Sequence, residues 1–139
     1  MILLDTSGLL AALDANQRTH QACAAVLEKA RPPFLLSPFV LAELDYVLST
    51  RIGVEAELAL LDEVTRGAYQ LEPFDADDVA EMTKVIERYR DQAIGIADAS
   101  LVVLGARHKT RDVLTLDRRH FGALKTLERK PRPFRVLPD

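Results

Sequence analysis

Four carboxylates stand where a folded chain ordinarily carries apolar or neutral residues. Asp5 ends the apolar run that begins at Met1, and Asp117 ends the run from Val113 to Leu116, while Glu43 and Asp98 fall inside apolar helical stripes. An ionised carboxylate turned toward a core is strongly disfavoured unless it is paired or bound to a metal. Four of them brought together also repel one another. A hard divalent ion answers both problems, because Mg²⁺ or Mn²⁺ takes oxygen ligands and neutralises clustered charge. The chemistry such a centre supports is metal-assisted hydrolysis, in which a water is activated and charge on a phosphoryl group is stabilised.

Each acid alone has an ordinary structural use. Asp5 could cap a helix starting at Thr6, Asp98 could cap one starting a residue later, and Asp117 could open the turn Asp117-Arg118-Arg119. Glu43, in mid-stripe, has no capping role. One shared site accounts for all four positions.

The elements that must position these acids follow from periodicity. Residues 1–4, 34–36 and 113–116 read as short buried strands, with a further short strand over 68–71 and a last one over 134–137, placed at an edge by Pro131, Pro133 and Pro138. Helices are expected over 6–15, 16–31, 38–51, 54–66 and 96–108, with another opened by Asp75 as its cap. Ser37 and Pro38 supply an N-cap and a first helical position, and Gly53 closes that helix. Its apolar face runs Val40, Leu44, Val47, Leu48, with Glu43 on the same face; Asp98 shares a face with Leu101, Val102 and Gly105. In the helix over 54–66, Leu58, Leu61 and Val64 are expected to point inward. Alternating strands and helices give an α/β fold, a three-layer α/β/α sandwich around a central, mostly parallel sheet. Asp5 and Asp117 then project from its carboxyl edge, where such folds place their sites.

Length and composition fit that architecture. The chain has 139 residues, enough for one domain over 1–139 with one core. No stretch reaches membrane-spanning length, and the start carries no basic, signal-like region. Cys23 is the sole cysteine, which excludes an internal disulfide and points to a reducing cytoplasm. It sits beside Ala24 and Ala25 with nothing to lower its pKa, so it reads as a core thiol. His20 and His108 lack paired spacing for zinc, and His120 reads as a half-buried surface histidine beside Phe121. The net charge of −3 hides an asymmetry: from Arg107 onward ten Lys or Arg face four acids, a local net of +6. A basic segment adjoining an acidic pocket suits a polyanion held by its phosphates and cut at a metal.

The segments Ile2-Leu3-Leu4-Asp5-Thr6-Ser7, Ala42-Glu43-Leu44, Ile94-Gly95-Ile96-Ala97-Asp98-Ala99 and Leu114-Thr115-Leu116-Asp117-Arg118-Arg119-His120-Phe121 resemble, in order and spacing, the PIN-domain family and within it the VapC toxins. The resemblance covers essentially the whole chain. It maps the family's four acids onto Asp5, Glu43, Asp98 and Asp117. It implies a Mg²⁺- or Mn²⁺-dependent endoribonuclease, usually a homodimer, acting on RNA and neutralised by a VapB-type antitoxin. On that reading Asp5 and Asp98 are the main direct ligands, and Glu43 and Asp117 hold the ion's waters or a second ion. Thr6, Ser7 and Thr115 place hydroxyls beside the ligands, and Arg118 and Arg119 are the candidate phosphate contacts. Two alternatives share parts of the pattern. A housekeeping nuclease of the same fold would carry the same four acids. A receiver-type signalling domain would need a phosphate-accepting Asp after a mid-chain strand and a Lys after a later one, whereas Leu36 leads into Ser37-Pro38 and Asp117 into arginine.

Overall fold

A computed structural model describes residues 1–139. Five strands, β1 (Ile2–Leu4), β2 (Phe34–Leu36), β3 (Gln70–Leu71), β4 (Asp112–Leu114) and β5 (Arg135–Leu137), form one all-parallel sheet in the order β3-β2-β1-β4-β5. Seven helices connect them: α1 (Thr6–Leu13), α2 (His20–Lys29), α3 (Pro38–Arg51), α4 (Val54–Thr65), α5 (Ala76–Arg88), α6 (Ile96–His108) and α7 (Arg118–Ala123). No helix is long and apolar enough to cross a membrane. The sheet grows outward from β1 through β2 to β3, then the chain returns to the other side of β1 for β4 and β5. β1 and β4 are neighbours whose following segments depart in opposite directions, and such a switch point opens a crevice at the carboxyl edge. Asp5 and Asp117 stand on its two sides.

Local sequence explains the elements that reach this edge. Ser37 Oγ accepts the Phe39 N–H at 3.1 Å, and Pro38 opens α3 where its missing N–H is no loss. Asp75 and Asp78 form a reciprocal capping box at the start of α5. Gly8 lets α1 lie directly on β4: a Cβ there would stand 2.4 Å from the Leu114 carbonyl oxygen. The core is a single cluster drawn from every layer, with Leu3, Leu4, Leu35, Leu36, Leu44, Leu101, Leu104 and Leu114 fully enclosed. Cys23 is among the enclosed residues, and burial pushes its thiol up.

Several boundaries differ from the sequence expectation. α1 ends at Leu13 and α2 begins only at His20, because Asp14 accepts the Asn16 N–H at 3.0 Å and turns the chain between them. In α4 the buried residue is Leu60, while Leu58 is 53% exposed: the helix is rotated relative to the face that its apolar spacing suggested. β3 is confined to Gln70–Leu71, and β5 starts at Arg135, with Phe134 packed edge-on against Phe121 instead.

Candidate active site

The carboxyl edge opens into a cleft of about 630 Å³ whose lining includes Asp5, Glu43, Asp98 and Asp117. β1 delivers Asp5, α3 Glu43, the first turn of α6 Asp98, and the junction of β4 with α7 Asp117. Burial differs sharply among them. Asp5 is 5% exposed, and the side chains of Asp98 and Asp117 are 14% and 36% exposed. Glu43 is exposed at the mouth. The expectation that Glu43 lies on the core face of α3 is therefore corrected: Val40, Leu44 and Leu48 form the buried row, and Glu43, Val47 and Arg51 form the adjacent row that faces the cleft.

Asp5 occupies the N-cap position of α1, but its side chain makes no cap bond. Its Oδ2 instead accepts from Thr115 Oγ1 at 2.6 Å and from Ser7 Oγ at 3.1 Å. The same hydroxyls hold the opposite wall, since Thr115 Oγ1 accepts the Asp117 N–H and Ser7 Oγ the Leu116 N–H, both at 2.9 Å. Thr6 Oγ1 is buried in the cleft lining without any partner. Asp117 does two jobs: Oδ1 caps α7 by accepting the His120 N–H at 2.9 Å, and the side chain still faces the cleft.

The electrostatics are those of crowded, under-compensated acids. Burial, then the charge of Asp5 and that of Asp117, push the Asp98 carboxyl up to about 6, against the opposing pull of His120. Burial also raises Asp5, and its hydrogen bonds only partly offset this. His120 is the site residue that sequence reasoning set aside. Its Nδ1 stands 2.9 Å from Asp98 Oδ2 and 3.0 Å from Asp117 Oδ2, yet neither oxygen lies where the ring N–H can aim a hydrogen bond. The contact is one of charge, attractive when the imidazole carries its second proton. The available signal was its spacing, three residues beyond Asp117 on a short helix. Arg51 also lines the cleft and was likewise missed. Arg118 and Arg119 do not enter the lining, and Arg118 Nη2 donates to the Pro138 carbonyl at 2.8 Å.

This donor set fits a hard divalent cation. It is all oxygen, it carries clustered negative charge, and it includes the orphaned Thr6 hydroxyl. No three acidic or histidine side chains stand close enough together to hold one ion between them, and His120 stands between Asp98 and Asp117.

Comparison with known proteins identifies the family. The chain is 45% identical to Ribonuclease VapC26 of Mycobacterium tuberculosis over 126 residues, covering 91% of this chain and 93% of that one. Its fold matches the crystal structure of VapC20 of Mycobacterium tuberculosis, a sarcin-ricin loop cleaving toxin, with a TM-score of 0.81 at 20% identity over 88% of this chain and 95% of that one. It also matches FitAcB of Neisseria gonorrhoeae, with a TM-score of 0.66 at 22% identity over 88% and 92%. A third match is VapBC2 of Rickettsia felis bound to a DNA fragment from its promoter, with a TM-score of 0.55 at 18% identity over 78% and 83%. Residues 2–126 match the PIN domain, and with a crevice between β1 and β4 lined by the four expected acids, the chain belongs to the PIN-domain family.

Proposed function

We propose that this chain is a Mg²⁺- or Mn²⁺-dependent endoribonuclease and the toxin of a type II toxin-antitoxin pair, acting in the cytoplasm as a homodimer. The observation that carries this reading is the cleft itself: four acids without a permanent cationic partner, in a chain 45% identical to a named ribonuclease. Asp5 and Asp98 are the residues that would hold the metal directly, with Glu43 and Asp117 completing the acidic ring. When bound, the ion supplies positive charge at the phosphoryl group and lowers the pKa of a water. The protein's part is positioning. Thr115 and Ser7 fix the Asp5 carboxylate and the segment before Asp117, so two walls of the cleft share one hydrogen-bond network. The exposed Glu43 carboxylate would orient water at the mouth and accept a proton from it. Arg118 and Arg119, outside the lining, would meet phosphates farther along the strand.

The expected partner is a small VapB-type antitoxin; the related VapBC2 of Rickettsia felis was solved as such a pair on its promoter DNA. A cleft of acids attracts a guanidinium, so inhibition would place an antitoxin Arg or Lys near Asp5 and Asp98. The direct test incubates the purified protein with total RNA. Discrete cleavage with Mg²⁺ or Mn²⁺ that stops with EDTA is expected, and cleavage that survives thorough chelation refutes the mechanism.

A further inference from the structure

Arg51 is the only lysine or arginine in the lining of the acid cleft. It ends α3, eight residues after Glu43 and four after Val47, so the three share one row, with roughly 12 Å of helix axis between the first and the last. Arg66, Arg90, Arg107, Arg132 and Arg135 each hold a carboxylate. Arg51 holds none, as is also true of Arg18, Arg31, Arg88 and Arg119, but of these Arg51 alone lines the cleft that holds the four acids. The stiffness of α3 keeps it at the far end, and the apolar side chains of Val47, Leu10 and Ile96 belong to the same lining.

We propose that Arg51 binds the phosphate of a nucleotide flanking the one that is cut; this rests on the ribonuclease reading above. A guanidinium matches phosphate oxygens in a two-pronged geometry and is already free of competing partners here. The row Glu43, Val47, Arg51 then sets the path of the strand. The scissile phosphate lies at the acids and the neighbouring one at Arg51.

The experiment uses the full chain and the RNA that the wild type cuts in Mn²⁺. Arg51→Ala is compared with Arg51→Lys and with Arg66→Ala, which removes the same charge from an exposed helical ion pair. Arg51→Ala is expected to raise KM about tenfold with little change in kcat, and to lower the salt slope of kcat/KM by about 0.7, the loss of one single-strand phosphate contact. Arg51→Lys should keep the slope and recover part of KM, and Arg66→Ala should match the wild type. The thermal midpoints of all three should agree, since Arg51 is exposed. Arg51→Ala with the KM and slope of Arg66→Ala overturns the proposal. A loss confined to kcat overturns the flanking placement, because it would put Arg51 on the reacting phosphate. Failure of the wild type to cut any RNA is a different result: it removes the ribonuclease reading and this inference with it.

Discussion

Asp5 and Glu72 occupy equivalent places in the sheet, each just past the carboxyl end of a parallel strand, and they are 5% and 6% exposed. Their surroundings are opposite. Glu72 receives Gln70 Nε2 at 2.9 Å, Arg107 Nη1 at 3.3 Å and the His108 ring. Arg107 also reaches Asp78 at 3.0 Å and the Pro73 carbonyl at 2.8 Å, and lies over the Phe74 ring. Burial pushes the Glu72 carboxyl up, but these partners together outweigh it, and its net shift is downward. Asp5 has only hydroxyls and a backbone N–H for partners and has acids for neighbours, and it ends above its ordinary value. A buried carboxylate with its cation built in is structure. One surrounded by further acids, with no cation built in, is what the proposed metal site requires.

The largest expected effect separates the two clusters by substitution. Asp98→Asn keeps the shape of the side chain and removes one of the crowded charges. Cleavage should fall by about three orders of magnitude or more, while the metal-free thermal midpoint stays level or rises as repulsion is relieved. Glu72→Gln should do the reverse. It leaves Arg107 and His108 without their buried anion and costs about 2 kcal/mol of stability, with kcat unchanged once the protein is folded. Cleavage assays and thermal melts on the pair decide it. An Asp98→Asn protein that cuts normally, or that loses several degrees without metal, would make the acid structural and erase the contrast.

Added metal sharpens the comparison from the other side. A ligand that binds only the folded state stabilises it by about 2.7 kcal/mol at a hundredfold excess over Kd. Mn²⁺ should therefore raise the melting temperature of the wild type and of Glu72→Gln, and should barely move that of Asp98→Asn. Equal shifts in all three would place the ion elsewhere.

How much of this was legible in the sequence depends on what fixed each feature. Strand ends and helix starts depend on local chemistry, and Asp5 after Leu4, Ser37-Pro38, Asp75 and the limits Ile96–His108 stand where the residues place them. The rotation of a helix about its axis is set by packing, and there local reading fails. Glu43 was placed on the buried face of α3 and lies one row round from it, and Leu58 was placed inward where Leu60 is. His120 and Arg51 share the cause. Each joins the cleft only because α7 and the end of α3 converge on one edge, which no local pattern encodes. Charge counted along the chain likewise does not say which arginines line the cleft: Arg51 does, and Arg118 and Arg119 stand outside it.

Acidity should also tell the clusters apart in the metal-free protein. Asp98 is held at about 6 in the folded state against 3.8 in the unfolded chain, so its contribution is fully present below 3.8 and is lost as pH rises toward and through 6. The loss is on the order of 2 kcal/mol once partial exposure is discounted. Glu72 has the opposite sign: its depressed folded value gives stability that is present above 4.5 and lost as pH falls through that folded value. Denaturant melts from pH 4 to 7 should therefore show stability falling with pH in the wild type. That fall should become shallower in Asp98→Asn, where the raised Asp5 carboxyl still contributes with the same sign, and persist in full in Glu72→Gln. A wild-type curve that is flat across this range would mean that the Asp98 and Asp5 charges are already compensated without metal.

The smallest effect concerns the hydroxyl network that stands in place of a cation at Asp5. Thr115 is 1% exposed, donates to Asp5 Oδ2 at 2.6 Å and accepts the Asp117 N–H at 2.9 Å, so one oxygen links two acids of the cleft. Thr115→Val preserves the shape and deletes that oxygen. The Asp117 N–H and the Asp5 carboxylate each lose a partner, which is worth about 1 kcal/mol of stability. The loss to function should be larger in proportion, because a ligand that is no longer oriented weakens metal binding or activity by about tenfold or more. Thr115→Ser, which keeps the oxygen and loses a methyl, should restore Mn²⁺ affinity even where it does not restore stability. Calorimetric titration of the three proteins with Mn²⁺ reads this directly. If Thr115→Val binds Mn²⁺ as the wild type does, the hydroxyls only fill space, and Asp5 is held by the backbone of β1 alone.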